Sequence, residues 1–137
     1  MIVQLIGRDV KVRTELAFFI AKKLDAILIN DTDIPMAANH DQWSRWLRSL
    51  ATIIVSQKDI PVIISGTFPT KSSREQFRDN LSGVKIPDIA IFIDTDSKDK
   101  IRFDEEWEDI DSTWYDIRVS GSESINNIDA ILSSIVN

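Results

Sequence analysis

Ile2-Val-Gln-Leu-Ile-Gly-Arg-Asp-Val-Lys-Val-Arg-Thr14 is the stretch whose reading decides the fold. A near-continuous apolar stretch, interrupted only by Gln4, meets Gly7, passes through charged residues and runs into helical spacing at Leu16, Phe19, Ile20 and Leu24. A continuous apolar run, in place of strict alternation, suits a strand covered on both faces. Strand, glycine, loop and helix together open a βα unit. The same order recurs along the chain. Residues 26–29, 60–65, 89–93 and 114–119 read as further strands, with helices expected over 14–24, 41–54, 72–81 and 124–136. The second of these helices is the clearest, because Trp43, Trp46, Leu47, Leu50, Ile53 and Ile54 fall on one helical stripe. Five strands alternating with helices predict a three-layer α/β/α sandwich around a mostly parallel sheet.

The 137 residues fit one domain, 1–137, since domains run to roughly 100–200 residues. Apolar residues at 43% and charged residues at 28% are ordinary globular values. No cysteine is present and there is one histidine, His40, which excludes disulfides, thiolate chemistry and a multi-histidine metal site. The net charge of −6 argues against nucleic-acid and anionic-membrane partners. No apolar run approaches the roughly 20 residues of a membrane span. The N-terminus lacks a basic leader pattern, so a cytoplasmic protein is expected.

That charge is unevenly placed. Residues 1–93 carry twelve bases and ten acids, whereas residues 94–116 carry ten acids and three bases. A near-neutral body thus holds one acidic connector, which reads as a solvated loop or as an arm for a cation or partner. Two tryptophans, Trp107 and Trp114, lie in and beside it and could pin it down as a fixed cover with its carboxylates outside.

Ligands of open α/β sheets bind beyond the carboxyl ends of the strands. At the first such end, Gly7 and Thr14 keep the separation of the phosphate-binding pattern G-x-x-x-x-G-K-[ST], with Arg8 and Lys11 in the loop between them. Val12 stands at the second glycine and Arg13 at the lysine. Backbone amides at a helix start can cradle phosphate oxygens, a cation can hold the outer phosphates, and a hydroxyl can ligate Mg²⁺. Arg13 keeps the cation and Thr14 the hydroxyl. Val12 is a β-branched residue where a phosphate would approach. The alternative is a plain strand-to-helix turn.

In the order of its motifs the chain resembles the adenylylsulfate kinase branch of the P-loop kinases over nearly its whole length. Asp31-Thr-Asp33 stands at that family's D-G-D-x-x-R, with Met36 in place of the arginine. Gly66-Thr-Phe-Pro-Thr-Lys-Ser-Ser-Arg74 is similar to F-x-S-P-x-R-x-x-R, and Ile93-Asp-Thr95 to a V-D-T strand end. The resemblance implies that Asp31 and Thr14 position Mg²⁺, that Asp33 and Arg13 serve catalysis, and that Asp31, Arg45, Phe68 and Arg74 contact substrate. It implies a central first strand flanked by the third and fourth, and ATP and Mg²⁺ as cofactors if the protein is active. A residue-level alternative stands beside each. Asn30–Asp33 fits an Asx turn, the arginines fit a solvated surface, and Trp43 and Trp46 fit a sheet cover as well as a base stack.

These kinases carry a basic lid where residues 96–113 are acidic, and a lid of that sign repels phosphate. The expected function is therefore a degenerate relative that binds a nucleotide or anion at the first loop with weak or no phosphotransfer. An active ATP-dependent kinase on a nucleotide-like substrate such as adenylylsulfate is the alternative. A homodimer or protein partner is compatible with either. A receiver-type signalling domain shares the length, but Gly7-Arg8-Asp9 and Ser65-Gly66-Thr67 lack its acidic pair and its phosphoacceptor.

Overall fold

The computed structural model describes residues 1–56, 59–81, 87–120, 130 and 133. Its elements in chain order are β1 (Ile2–Ile6), α1 (Val10–Leu24), β2 (Ile27–Asn30), α2 (His40–Ser56), β3 (Val62–Gly66), α3 (Lys71–Leu81), β4 (Ile89–Asp94) and β5 (Ile117–Ser120). Short 3₁₀ turns span Asp31–Asp33, Arg102–Asp104 and Ser112–Trp114. The strands form one sheet in the order β2-β3-β1-β4-β5, and all four pairings are parallel. β1 is central, as expected, flanked by β3 and β4. The helix expected over 124–136 lies outside the described residues apart from Ala130 and Ser133, both helical.

Parallel neighbours force helical crossovers, and these cover both faces of the sheet. On one face Leu16, Ala17 and Ile20 of α1 pack on Val3, Leu5, Ile63, Ile91 and Val119. On the other, Leu47, Leu50 and Ile54 of α2 and Phe77 and Leu81 of α3 cover Ile2, Ile6, Val62 and Ile64. Every residue of β1 and β3 is buried, which accounts for their near-continuous apolar runs, interrupted by Gln4 and Ser65.

Two element starts differ from the sequence reading by three residues or more. α1 starts at Val10, four residues before Thr14, because Asp9 takes the N-cap position and its carboxylate accepts the Val12 amide at 3.1 Å. β5 starts at Ile117, because Asp111 accepts the Thr113 amide at 3.0 Å and caps a 3₁₀ turn that absorbs Trp114.

Candidate functional site

The carboxyl ends of β1, β2, β3 and β4 bring together Gly7, Arg13, Thr14, Asp31, Asp33, Thr67 and Phe68. Arg13 rises from the first turns of α1 and is fully buried. Its guanidinium donates to the Gly7 carbonyl at 2.8 Å, to Thr67 Oγ1 at 2.9 Å and to Asp31 Oδ1 at 2.6 Å. Burial pushes its pKa below the usual arginine value, opposed by the Asp31 carboxylate beside it. The second oxygen of Asp31 accepts from the Thr67 amide at 2.9 Å and from the Thr67 hydroxyl at 3.3 Å. Arg13, Asp31 and Thr67 thus form a closed network tying α1 to the ends of β2 and β3. The Nε of Arg13 has no partner among the described residues.

The loop before α1 is short, and its donors are occupied by carboxylates. The Val12 amide goes to Asp9, and the Val10 amide goes to Asp99 Oδ2 at 3.0 Å. Arg8 Nε holds the Asp99 carbonyl at 2.8 Å, fastening the acidic connector to this turn. The Arg13 amide is already in the helix, bonded to the Asp9 carbonyl at 3.0 Å. The Val10 and Val12 amides, which a phosphate cradle at this helix start would use, therefore face the chain's own carboxylates. Gly7 is needed for packing here: a Cβ would stand 3.0 Å from the Ile93 carbonyl oxygen.

Thr14 accepts from Asn30 Nδ2 at 3.2 Å, and Asp33 closes a capping box on the Asn30 amide at 3.3 Å. Among the described residues, no group of three or more His, Asp or Glu side chains is arranged to hold a metal ion. The groups that MgATP would call on here, the Val10 and Val12 amides, the terminal nitrogens of Arg13 and the Asp31 carboxylate, are bonded within the chain. Lys11 is exposed on α1, and Arg45 pairs with Asp41 at 2.8 Å on the outer face of α2, outside this network.

Arg74 is placed differently from a substrate contact. It is 1% exposed and donates to the carbonyls of Phe68 at 3.0 Å, Pro69 at 3.2 Å, Glu108 at 2.7 Å and Asp109 at 3.4 Å. Its pKa too is lowered by burial. The connector it grips is an anchored strap. Trp107 stacks on Phe92 with ring centroids 6.1 Å apart, and Arg74 lies 5.1 Å from the Trp107 ring. Arg78 covers Trp114 at 4.4 Å. Glu108 Oε2 accepts the Lys71 amide at the start of α3 at 3.3 Å. The solvated-loop reading is corrected in this respect: the carboxylates face outward, but Ile101 is buried and Trp107 and Ile110 join the core.

Arg102 is the one arginine of the connector. It donates to the carbonyls of Pro35 at 2.5 Å, Ile34 at 2.8 Å and Asp31 at 3.2 Å, and lies 4.5 Å from the Trp43 ring. Phe103 follows in the left-handed region at φ 63° and stacks on His40 at 3.8 Å. Between this corner, α2 and the turn after β3 lies a solvent-open cleft lined by Trp43, Trp46, Thr67, Phe68, Arg102 and Phe103. The roles of Asp99, Arg102 and Glu108 carry no local signal in sequence, since each acts on residues far away along the chain.

Central β1, the glycine turn into α1 and helices on both faces of a parallel sheet define a P-loop kinase-like fold. No family model matches the chain, and no curated protein matches it in sequence. Solved structures do match. The APS kinase of Mycobacterium tuberculosis in complex with AMPPNP and APS is 16% identical, with a TM-score of 0.69 over 98% of this chain and 94% of that one. Shikimate kinase from Aquifex aeolicus is 15% identical, at 0.59 over 98% and 96%. A gluconokinase from Sinorhizobium meliloti is 14% identical, at 0.58 over 98% and 94%. At these identities the likeness establishes the fold.

Proposed function

We propose that this chain is a small-molecule-binding domain of P-loop kinase-like fold that does not transfer phosphate. One observation carries the reading: the first amides of α1 are capped by Asp9 and Asp99, while the arginine at the lysine position of the phosphate pattern is sealed against Asp31. A phosphate approaching α1 must displace a carboxylate and then meets the remaining acids of the strap. Kinases of this fold depend on cations at the transferred group, and an arginine there is worth roughly 10³–10⁵ in rate. Here Arg13 and Arg74 are buried among protein acceptors, and both terminal nitrogens of Arg102 hold carbonyls. The cleft beside Trp43 and Phe68 remains open and is the ligand site in this reading.

The test is calorimetry with ATP, ADP and adenylylsulfate, with and without Mg²⁺, beside a phosphate-transfer assay. The expected result is no transfer and no saturable binding of MgATP. Micromolar Mg²⁺-dependent ATP binding with transfer to adenylylsulfate would overturn the reading in favour of an active kinase on a nucleotide-like substrate.

A further inference from the structure

The face of α1 that meets the sheet carries Leu16, Ala17, Ile20 and Ala21, and a helix so placed ordinarily turns polar residues outward. Here the outer face carries two phenylalanines, Phe18 at 65% exposure and Phe19 at 38%. Among the described residues no other two exposed large apolar side chains are neighbours in the chain. Scattered exposed apolar residues are ordinary, whereas an adjoining pair makes a patch that marks a contact site. Lys23 Nζ lies 5.6 Å from the centre of the Phe19 ring and shades it. Lys11, Glu15, Phe18, Lys22 and Asp25 follow one another at spacings of four, three, four and three residues, which sets them on one helical stripe. All five are exposed, and none of the four charged side chains holds a hydrogen bond or ion pair among the described residues. Their order is plus, minus, aromatic, plus, minus. Read from the other end it is minus, plus, aromatic, minus, plus, so the stripe is the complement of its own reverse.

We propose that the outer face of α1 is the contact of a weak homodimer, in which a second copy's α1 packs antiparallel across it about a two-fold axis at Phe18 and Phe19. The midpoint of residues 15 and 22 falls between the two phenylalanines, and that of residues 11 and 25 falls on Phe18. One axis therefore serves both charge pairs to within about 0.75 Å, half of the rise per residue. Glu15 faces the partner's Lys22 and Lys11 faces the partner's Asp25, each pair occurring twice by symmetry. A shallow crossing of about 20° keeps these long side chains within reach. The four phenylalanine rings meet at the axis and leave water there. The alternatives are opposed by charge. A parallel pair stacks Lys11 on the partner's Lys11 and Lys22 on the partner's Lys22, and an antiparallel pair slid one turn toward the N-terminus sets Lys11 against the partner's Lys22. One helix per copy buries less than the roughly 1,200–2,000 Å² of a standard stable interface, so the expected dissociation constant lies between about 10 µM and about 1 mM.

Sedimentation equilibrium of the full chain, from about 10 µM to about 1 mM, reads the association directly. A monomer–dimer equilibrium within that range is expected. Phe18→Ser is expected to weaken the dimer about tenfold or more, since it removes the apolar centre of the contact. Its urea midpoint should match the parent's, because the ring lies outside the core, and that match separates a lost contact from a lost fold. Lys22→Glu sets two carboxylates against each other and should weaken the dimer about fivefold or more, and Glu15→Lys should do the same with two ammonium groups. The double variant Glu15→Lys/Lys22→Glu exchanges the signs within each pair and should return to within about threefold of the parent. Only an antiparallel contact that pairs these two residues across the axis gives that rescue. A monomer throughout the range overturns the proposal and leaves the phenylalanine face to a different partner. A dimer that ignores Phe18→Ser, or a double variant no tighter than its single parents, overturns it as well.

Discussion

Replacing Arg74 by Met removes the cation on which the strap is hung. Four carbonyl oxygens lose their donor: Phe68 at 3.0 Å, Pro69 at 3.2 Å, Glu108 at 2.7 Å and Asp109 at 3.4 Å. A hydrogen bond from a charged donor is worth roughly 1.5–3 kcal/mol, and such contributions do not add in full. The two shorter contacts, to Phe68 and Glu108, set the scale. Methionine offsets part of the loss, because it needs no desolvation and its stem fills similar space. The carbonyls of Glu108 and Asp109 can also turn to water once the strap lifts. The net expectation is a loss of about 3 kcal/mol, a large share of the roughly 5–15 kcal/mol that hold an ordinary domain together. Urea unfolding would read it as a lower midpoint. Hydrogen exchange would show faster exchange of the Glu108 amide, which bonds the Pro69 carbonyl at 2.8 Å. Arg74→Lys should recover little, since a single ammonium cannot serve both sides of the turn. A methionine variant within about 1 kcal/mol of the parent, with the Glu108 amide still protected, would refute the reasoning.

Other outcomes follow from the same contacts. Asp31→Asn leaves Arg13 buried without its countercharge and should cost about 3–5 kcal/mol in urea unfolding, with Arg13→Met/Asp31→Leu recovering much of it. Asp99→Ala uncaps the Val10 amide and should cost about 0.5–2 kcal/mol, with faster exchange confined to the first turn of α1. Asp111 is held below the ordinary aspartate range by the Thr113 hydroxyl and amide. Its contribution to the 112–114 turn is thus present above the unfolded pKa and lost as pH falls through the lower folded one. The Thr113 amide shift should titrate below the usual aspartate midpoint, and a normal midpoint would contradict the cap.

The sheet was legible because its information is local. Five apolar runs bounded by Gly7, Asn30, Gly66 and Asp94 give strands, and the Trp43–Ile54 stripe gives a helix whatever the rest of the chain does. Helix starts were less legible. Asp9 and Thr14 are both good caps, and the kinase pattern favours the second, while a free contest between them favours the first. The site was legible only as a list of residues. Arg13, Asp31, Thr14 and Phe68 do converge, yet their partners (Thr67, Asn30, Asp99 and Glu108) are set by tertiary contacts. An arginine's sequence neighbours do not say whether it faces a phosphate or four carbonyls. Arg74 is the instance.

The strand order has a consequence for how the chain reaches its native state. β1 emerges first, yet Ile2 lies beside Val62 and Val3 beside Ile89, so neither neighbour of β1 is its successor in sequence. Synthesis leaves Ile2–Ile6 without a mate until nearly half of these 137 residues exist, and without its second until β4 at Ile89–Asp94 follows. Such non-local closure slows folding and keeps an apolar edge available to wrong partners in the meantime. β2 cannot shelter β1, because β3 must slot between them. The step that completes the centre of the sheet is therefore a late insertion of β3 and β4 on either side of the oldest segment.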